Sequence, residues 1–477
     1  MFLFINLNQT LHSEFIMNKL RPEMPPYGVA YVASILAKNG FKSILHDDNL
    51  LKYNDSKLRN IFRKYKGLVR AVGLTSVTTT FNQISRVAQI SKEELSDIPV
   101  IVGGPHARLL PDEIINIPSV DIVFTGEGEL SILEYANGRS LPEINGIYYK
   151  DNGIIQRNPP AVCIENLDEV PFPAYDLFNI SDYHSTRGIA KRHPVSYVIT
   201  SRGCPYNCTF CSSKALNSTE GKRVRYRSSE NVLEEIEFLV KNHGVKELFF
   251  SDDMFTGNTS HLFGVCEGLI NGKLNLTWVC MTHVNNITEE KLKVMKRAGC
   301  HQICYGVESG DPEIQEIINK NINLEKVKTV VRLTQKIGID VRCSFMFGNQ
   351  YETPETMLRT ICFAKDLRPD FASFNIATPY PGTFFRSWAI ENSYLTNRNY
   401  EALDSSTYTL VTPDLPLGIV EKYVNKAFLS FYYSPDYILR RLLKIRDTAE
   451  LRRVIESAFY AFKSLPGVVG SFMKKVK

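Results

Sequence analysis

The 477-residue chain has no run of about 18 or more apolar residues, the length that a bilayer-crossing helix needs. Its apolar opening, MFLFINLN, lacks the basic n-region and small-residue cleavage site of a signal peptide. A cytoplasmic protein is therefore expected. Charge of one sign is also missing: 56 Lys and Arg stand against 51 Asp and Glu, a net of +5. That is too little for the whole chain to read as a nucleic-acid binder. There is no GxGxxG fingerprint, so a nicotinamide cofactor is not indicated, and no internal repeat of solenoid length. Cysteine is absent from the last 115 residues, Phe363 to Lys477.

What is present is ordinary globular composition, 44% hydrophobic and 22% charged. At about 150 residues per domain, the length predicts about three folded units and excludes a small disulfide-stapled scaffold. Charge is uneven: Tyr437 to Lys477 holds ten basic and three acidic residues, a local +7 that leaves the rest at about −2. The ten cysteines lie at 163, 204, 208, 211, 266, 280, 300, 304, 343 and 362. In a reducing compartment, clustered cysteines point to metal or catalysis before disulfides, and only 204, 208 and 211 are tightly clustered.

Strand-like runs at 2–8 (FLFINLN), 43–48, 71–76, 100–104 (VIVGG) and 121–127 alternate with amphipathic stretches such as 27–40 and 81–95. This alternation predicts an α/β, Rossmann-like (flavodoxin-like) domain over 1–150, its parallel sheet covered on both faces. Ligands of such sheets bind at the carboxyl ends of the strands, which singles out the loops 75–80, 103–109 and 126–129. Residues 151–193, with prolines at 159, 160, 171 and 173, have no sustained periodicity and read as a linker. A second series of strands is expected at 195–201, 245–252, 276–282, 301–308, 339–348 and 371–378. Six β/α units in series predict a partial, TIM-like (β/α)6 barrel over 194–385, its site at the carboxyl ends of the strands. Residues 386–477 read as mainly helical with a basic tail.

Cys204, Cys208 and Cys211 form CxxxCxxC within TSRGCPYNCTFCSS, on a loop leaving a strand. A closed structural zinc wants four ligands, whereas three cysteines on a 4Fe-4S cluster leave one iron open. A structural zinc with its fourth ligand elsewhere in the chain stays open at this point. Cys300 and Cys304, with no other cysteine pair near them in sequence, read as small buried hydrophobes.

The segment RGCPYNCTFC resembles the signature of the radical S-adenosylmethionine (SAM) superfamily, and further matches follow in that superfamily's order. The resemblance implies that Cys204, Cys208 and Cys211 hold a 4Fe-4S cluster whose open iron takes the amino and carboxylate groups of SAM, with Phe210 near the adenine. It places Asp252 and Asp253 of SDDMFT at the methionine amino group. Glu308 of GVESG falls at the ribose or methionyl end, followed by Lys320, and Gly348 of FMFGNQYET beside the adenine. TPYPGT at 378–383 resembles the turn after the sixth strand. Plainer roles stay open for two of these: Asp252 and Asp253 as a helix N-cap pair, Glu308 as a solvated strand end.

GGPHARLLPDE (103–113), VDIVFTGEGE (120–129) and PPYGVAYVASILAKNGF (25–41) resemble the cobalamin-binding domain that precedes the barrel in one large subfamily. This implies cobalamin contacts from Thr75, Ser76, Val77, Thr78, Gly103, Gly104, Pro105, His106, Gly126, Glu127 and Glu129. Glycines at 103, 104, 126 and 128 let the backbone approach a bulky ligand. The alternative is a flavodoxin-like domain that binds another nucleotide or nothing. The DxHxxG motif that gives cobalt a histidine in methionine-synthase-like proteins is absent, so the lower face of cobalt is expected to lack one, with 75–80 near it.

For activity, the resemblance implies that the reduced cluster cleaves SAM to methionine and a 5′-deoxyadenosyl radical, which takes hydrogen from an unreactive carbon. In most members of the subfamily methylcobalamin then supplies a methyl group. The expectation is C-methylation of a small molecule or lipid, fed by a reducing protein such as flavodoxin or ferredoxin, with no nucleic acid. The runner-up is a cyclase or ring-rearranging enzyme resembling the anaerobic magnesium-protoporphyrin ester cyclase. A tRNA methylthiotransferase needs three N-terminal cysteines, and only Cys163 precedes residue 204. A cobalamin or iron–sulfur sensor is the non-enzymatic alternative. The cysteine-free C-terminus excludes the auxiliary-cluster domain of many peptide-modifying relatives. The tail at 437–477 reads as a packed helix with a solvated basic face, or as an attachment to an anionic membrane surface.

Overall fold

The computed structural model describes residues 1–9, 23–185, 189–217, 224–397, 399–445 and 451. Its first sheet holds β1 (Phe2–Asn6), β2 (Ser43–Asp47), β3 (Ala71–Thr75), β4 (Val100–Gly103), β5 (Ile122–Phe124), β6 (Ile147–Asp151) and β7 (Ile154–Arg157), in the order β2-β1-β3-β4-β5-β6-β7. The first five strands pair in parallel in the flavodoxin-like order, with the crossover between β1 and β3. These strands read as unbroken apolar runs because both faces are buried. Leu3, Val72, Val100 and Val102 pack with Leu58, Phe62, Ile84 and Val87 on one side. Phe2, Phe4, Ala71 and Ile101 pack with Val29, Leu36 and Ile132 on the other.

Residues 151–157, expected to open a linker, instead complete this sheet. β6 and β7 are antiparallel, joined at Asn152 and Gly153 with φ of 47° and 80°. Two positive φ values in a two-residue Asn-Gly loop are what a type I′ hairpin requires.

In the second half, β8 (Val195–Val198) is followed by a short antiparallel pair, β9 (Ser201–Arg202) and β10 (Arg225–Tyr226). The strands β11 (Glu247–Phe250), β12 (Thr277–Thr282), β13 (Cys300–Glu308), β14 (Asp340–Phe347) and β15 (Phe371–Ile376) extend β8 into a six-stranded parallel sheet in sequential order. One face, with Leu248, Phe250, Trp278, Ile303, Tyr305, Phe345 and Phe374, is fully buried with residues of the covering helices. On the other face Phe249, Met281, Cys304, Gly306, Ser344, Ser373 and Asn375 keep partial or full exposure. Side chains alternate between faces along a strand, so the inward face lines an accessible chamber. Cys300 is buried, while Cys304 faces this chamber.

After residue 385 the chain is mainly helical. The helix Ile419–Tyr432 covers the edge strand β15, where the Tyr432 hydroxyl accepts from the Ala372 N–H (3.0 Å) and donates to the Ala372 carbonyl (2.6 Å). This satisfies backbone groups that an open edge leaves unpaired. No helix among the described residues is long and apolar enough to cross a membrane. Most of the basic tail, 446–450 and 452–477, lies outside the described residues. Tyr432→Phe strands the Ala372 N–H beneath the helix and is expected to cost about 1–3 kcal/mol. The check is urea denaturation, where the midpoint should fall with an unchanged slope.

Candidate active site

The cysteine loop begins where Gly203, at φ 101°, turns the chain out of β9. Asp252, just beyond β11, fixes the approach to this turn. Its carboxylate accepts from the Thr200 N–H (2.9 Å), the Ser201 hydroxyl (2.7 Å) and the Ser201 N–H. Burial pushes this carboxyl up to about 6. The expectation that Asp252 and Asp253 act together is thereby corrected: Asp252 braces the turn and does not line the main cavity. Asp253 is exposed, accepts from the Ser213 hydroxyl (2.6 Å) and lines the main cavity. Neither caps the next helix, Thr259–Asn271, whose N-cap is Asn258.

The loop is pinned by hydrogen bonds from the Thr209 N–H to the Ile318 carbonyl and from the Phe385 N–H to the Thr209 carbonyl, each 3.0 Å. Burial pushes the Cys208 thiol up to about 11 and raises Cys211, and the nearby Cys204 adds to both. Buried thiols become thiolates when a cation compensates them, which a cluster's iron does. Among the described residues no three His, Cys, Asp or Glu side chains converge as ligands of one ion. Three thiols on one loop are the donor set of a 4Fe-4S cluster that keeps one iron open, so the trio fits a cluster.

Beside Cys208, Glu308 leaves β13 at φ 67° and pairs with Lys320 (Oε1 to Nζ, 3.1 Å), while the Ser344 hydroxyl donates to its other oxygen (3.2 Å). Burial works against the Lys320 charge, but Glu308, Cys208 and Cys211 hold it above its ordinary value. The ammonium stands 5.8 Å from the Phe210 ring centre. Phe210, Glu308 and Lys320, separated in sequence, thus form one group, and Glu308 is not a solvated strand end. Gly348 (φ 88°) donates its N–H to Glu352 (2.6 Å), and its free side is filled by Tyr408, whose ring a Cβ would meet at 2.4 Å.

A cavity of about 610 Å³ opens at the carboxyl ends of the first sheet. Thr75, Gly103, Gly104, Pro105 and Arg108 line it from the first domain; Gly203, Cys211, Ser212 and Asp253 line it from the second. Gly104 has φ 106°, and a Cβ there would stand 2.6 Å from the Ser76 carbonyl oxygen. Ser76 is fully buried and ties the two loops together, its hydroxyl donating to the Gly103 carbonyl (3.0 Å) and accepting from the Ala107 N–H (3.2 Å). Val77 and Thr78 line a second cavity of about 310 Å³ with Pro105, Leu109, Ser212 and Tyr380. Gly126 lines the main cavity, and its smallness also admits Ala161, which a Cβ would meet at 2.2 Å. A floor of backbone and small side chains at this crossover suits a large nucleotide-like ligand.

His106 departs from expectation. It is buried and lines neither cavity; Nδ1 stands 3.4 Å from the Thr78 hydroxyl, with the Phe81 and Tyr400 rings 5.0 and 4.8 Å away. Burial lowers its pKa to about 4.

Glu127 and Glu129 line the main cavity, yet their carboxylates are engaged by two arginines that the sequence did not single out. Arg202 reaches Glu129 (2.6 Å) and Glu127 (3.3 Å); Arg225, opposite Arg202 in the β9–β10 pair, makes a bidentate contact with Glu127. Burial works against the Glu127 charge, but Arg225 and Arg202 hold its carboxyl below the usual range. This network joins the first domain to the residue immediately before the cysteine loop.

A nucleotide-type domain facing a three-cysteine loop across one cavity defines a two-domain cofactor enzyme. Residues 198–364 match the radical SAM superfamily and residues 14–136 the B12 binding domain. The uncharacterized methyltransferase PH0819 of Pyrococcus horikoshii is 36% identical over 431 residues, covering 88% of this chain and 90% of that protein. The anaerobic magnesium-protoporphyrin IX monomethyl ester cyclase of Rubrivivax gelatinosus is 27% identical over 463 residues, 91% of this chain and 80% of that one. The structure of the radical SAM methyltransferase TsrM from Kitasatospora setae, with cobalamin and a 4Fe-4S cluster bound, aligns with a TM-score of 0.66 at 19% identity, over 82% of this chain and 78% of that chain. The chain belongs to the family of radical SAM proteins that carry a B12-binding domain. It is a cobalamin-dependent radical SAM enzyme close to methyltransferases, with a 4Fe-4S cluster, SAM and cobalamin as cofactors.

Glu127→Gln leaves two arginines short of a buried counter-charge and is expected to lower stability by about 3 kcal/mol. A reduced midpoint in chemical denaturation checks this; an unchanged midpoint contradicts it.

Proposed function

We propose that the protein is a C-methyltransferase acting on an unactivated carbon of a small molecule or lipid. The observation that carries this reading is that the main cavity is lined both by the cobalamin-side loops and by the cysteine loop, Cys211 included. In this reading residues 1–157 bind cobalamin, 158–193 link the halves, 194–385 form a partial (β/α)6 barrel for cluster and SAM, and the helix Ile419–Tyr432 covers its edge. Cys204, Cys208 and Cys211 ligate the cluster. Phe210, Asp253, Glu308 and Lys320 orient SAM, the Glu308–Lys320 pair supplying both a carboxylate and an ammonium at one end of it. Thr75, Gly103, Gly104 and Pro105 would floor the corrin site, with Val77 and Thr78 in the adjoining cavity and His106 lining neither. When bound, the cofactors supply a hydrogen-abstracting radical and a transferable methyl group. The chain's part is to hold the reacting groups together and away from water. A small reducing protein of the flavodoxin or ferredoxin type supplies electrons.

Cyclisation is the second reading, favoured by the similarity to the Rubrivivax cyclase along 91% of the chain. Product mass separates the two. Protein reconstituted without oxygen and given dithionite and SAM is expected to form 5′-deoxyadenosine, and its substrate to gain one CH₂ unit. Cys208→Ala should form none. Continued cleavage by that variant would overturn the cluster assignment, and a product that gains no CH₂ would favour cyclisation.

A further inference from the structure

The helix Pro435–Lys444 carries two opposite faces. Tyr437, Arg440, Arg441 and Lys444 are turned to the amino-terminal end of β14 and β15. The Tyr437 hydroxyl donates to the Asp370 carbonyl (3.3 Å), Arg440 Nη1 to the Arg368 carbonyl (3.3 Å), and Lys444 Nζ to Asp340 Oδ1 (3.3 Å) and to Asp370. The Arg441 guanidinium lies 4.6 Å from the Phe371 ring centre. The other face holds Ile438, Leu439, Leu442 and Leu443, which are 45%, 59%, 56% and 75% exposed. No residue of the helix is buried. A surface helix ordinarily turns its apolar stripe to the core and its charges to water; this one does the reverse.

Contacts to Asp340, Arg368, Asp370 and Phe371 hold the polar face in place, so the leucines cannot be covered by rotating the helix. Their occupant must come from outside this packing. The chain from Tyr437 to Lys477 carries ten basic residues against three acidic ones, and seven of the ten follow residue 445. Two copies joined through this face would bring two such basic segments together against their own repulsion, whereas an anionic bilayer neutralises them.

We propose that the exposed apolar face of Pro435–Lys444 is a peripheral docking site for an anionic membrane surface. Ile438, Leu439, Leu442 and Leu443 enter the boundary between headgroups and acyl chains, and the net positive charge of the sequence from Tyr437 to Lys477 suits an anionic surface. This proposal is independent of which reaction the active site performs.

The test is co-sedimentation of the full-length protein with phosphatidylcholine vesicles, with and without phosphatidylglycerol. Binding is expected only to the anionic vesicles and to fall with added salt. The double variant Leu439→Glu, Leu443→Glu should weaken it at least about tenfold, with an unchanged melting temperature and unchanged SAM cleavage. The single variant Leu443→Trp should show a blue-shifted indole emission on the anionic vesicles. Equal binding of the double variant, binding indifferent to lipid charge, or an emission of the Leu443→Trp variant unmoved by vesicles would overturn the proposal. So would a dimer in solution that the double variant dissociates.

Discussion

The arrangement depends on four charges largely withdrawn from water. Arg202 and Arg225, facing each other across a two-residue ladder, share Glu127 and Glu129 of the first domain. Taking such groups out of water is expensive and is tolerated only when each finds partners. Here the remaining valences are used too: Arg225 also donates to the Ile164 carbonyl, and the Arg202 guanidinium sits 5.5 Å from the Tyr31 ring centre. Arg202 is bonded to Gly203, which leads into Cys204. The salt-bridge network and the cysteine loop are therefore consecutive in the chain, and fixing one positions the other.

The walls of the cavity follow from that constraint. The first sheet presents backbone and small side chains at its crossover, while the second brings up the cysteine loop, braced by Asp252 beneath and tied to Ile318 and Phe385. The Glu308–Lys320 pair stands beside Cys208 because β13 ends in a positive-φ residue that turns the carboxylate toward the chamber. The two halves present one continuous surface to their ligands, which suits chemistry passing from one cofactor to another.

Much of this was legible in the sequence, for identifiable reasons. Strands buried on both faces read as short apolar runs, so β1 to β5 and the second parallel series fall where patterning puts them. Three cysteines at close spacing on a loop are a local signal. The β6–β7 hairpin also had its signal, Asn152-Gly153 between apolar runs, but the proline-rich stretch after it suggested a linker. The charge network had none, because Arg202 and Glu129 are 73 residues apart and Arg225 and Glu127 are 98 apart. Nor does a sequence tell which of two adjacent aspartates turns inward, as Asp252 does, or that His106 is walled by Phe81 and by a Tyr400 nearly three hundred residues away.

The proposed function requires corrin and cluster to share one cavity, whose two walls the Arg202–Glu127–Glu129 contacts hold together. It is tested most directly by electron spin resonance of the protein carrying both cob(II)alamin and the reduced cluster. The account predicts signals broadened and split by dipolar coupling between the two paramagnets. Two sharp, independent signals, each identical to that of protein carrying only one cofactor, would contradict it.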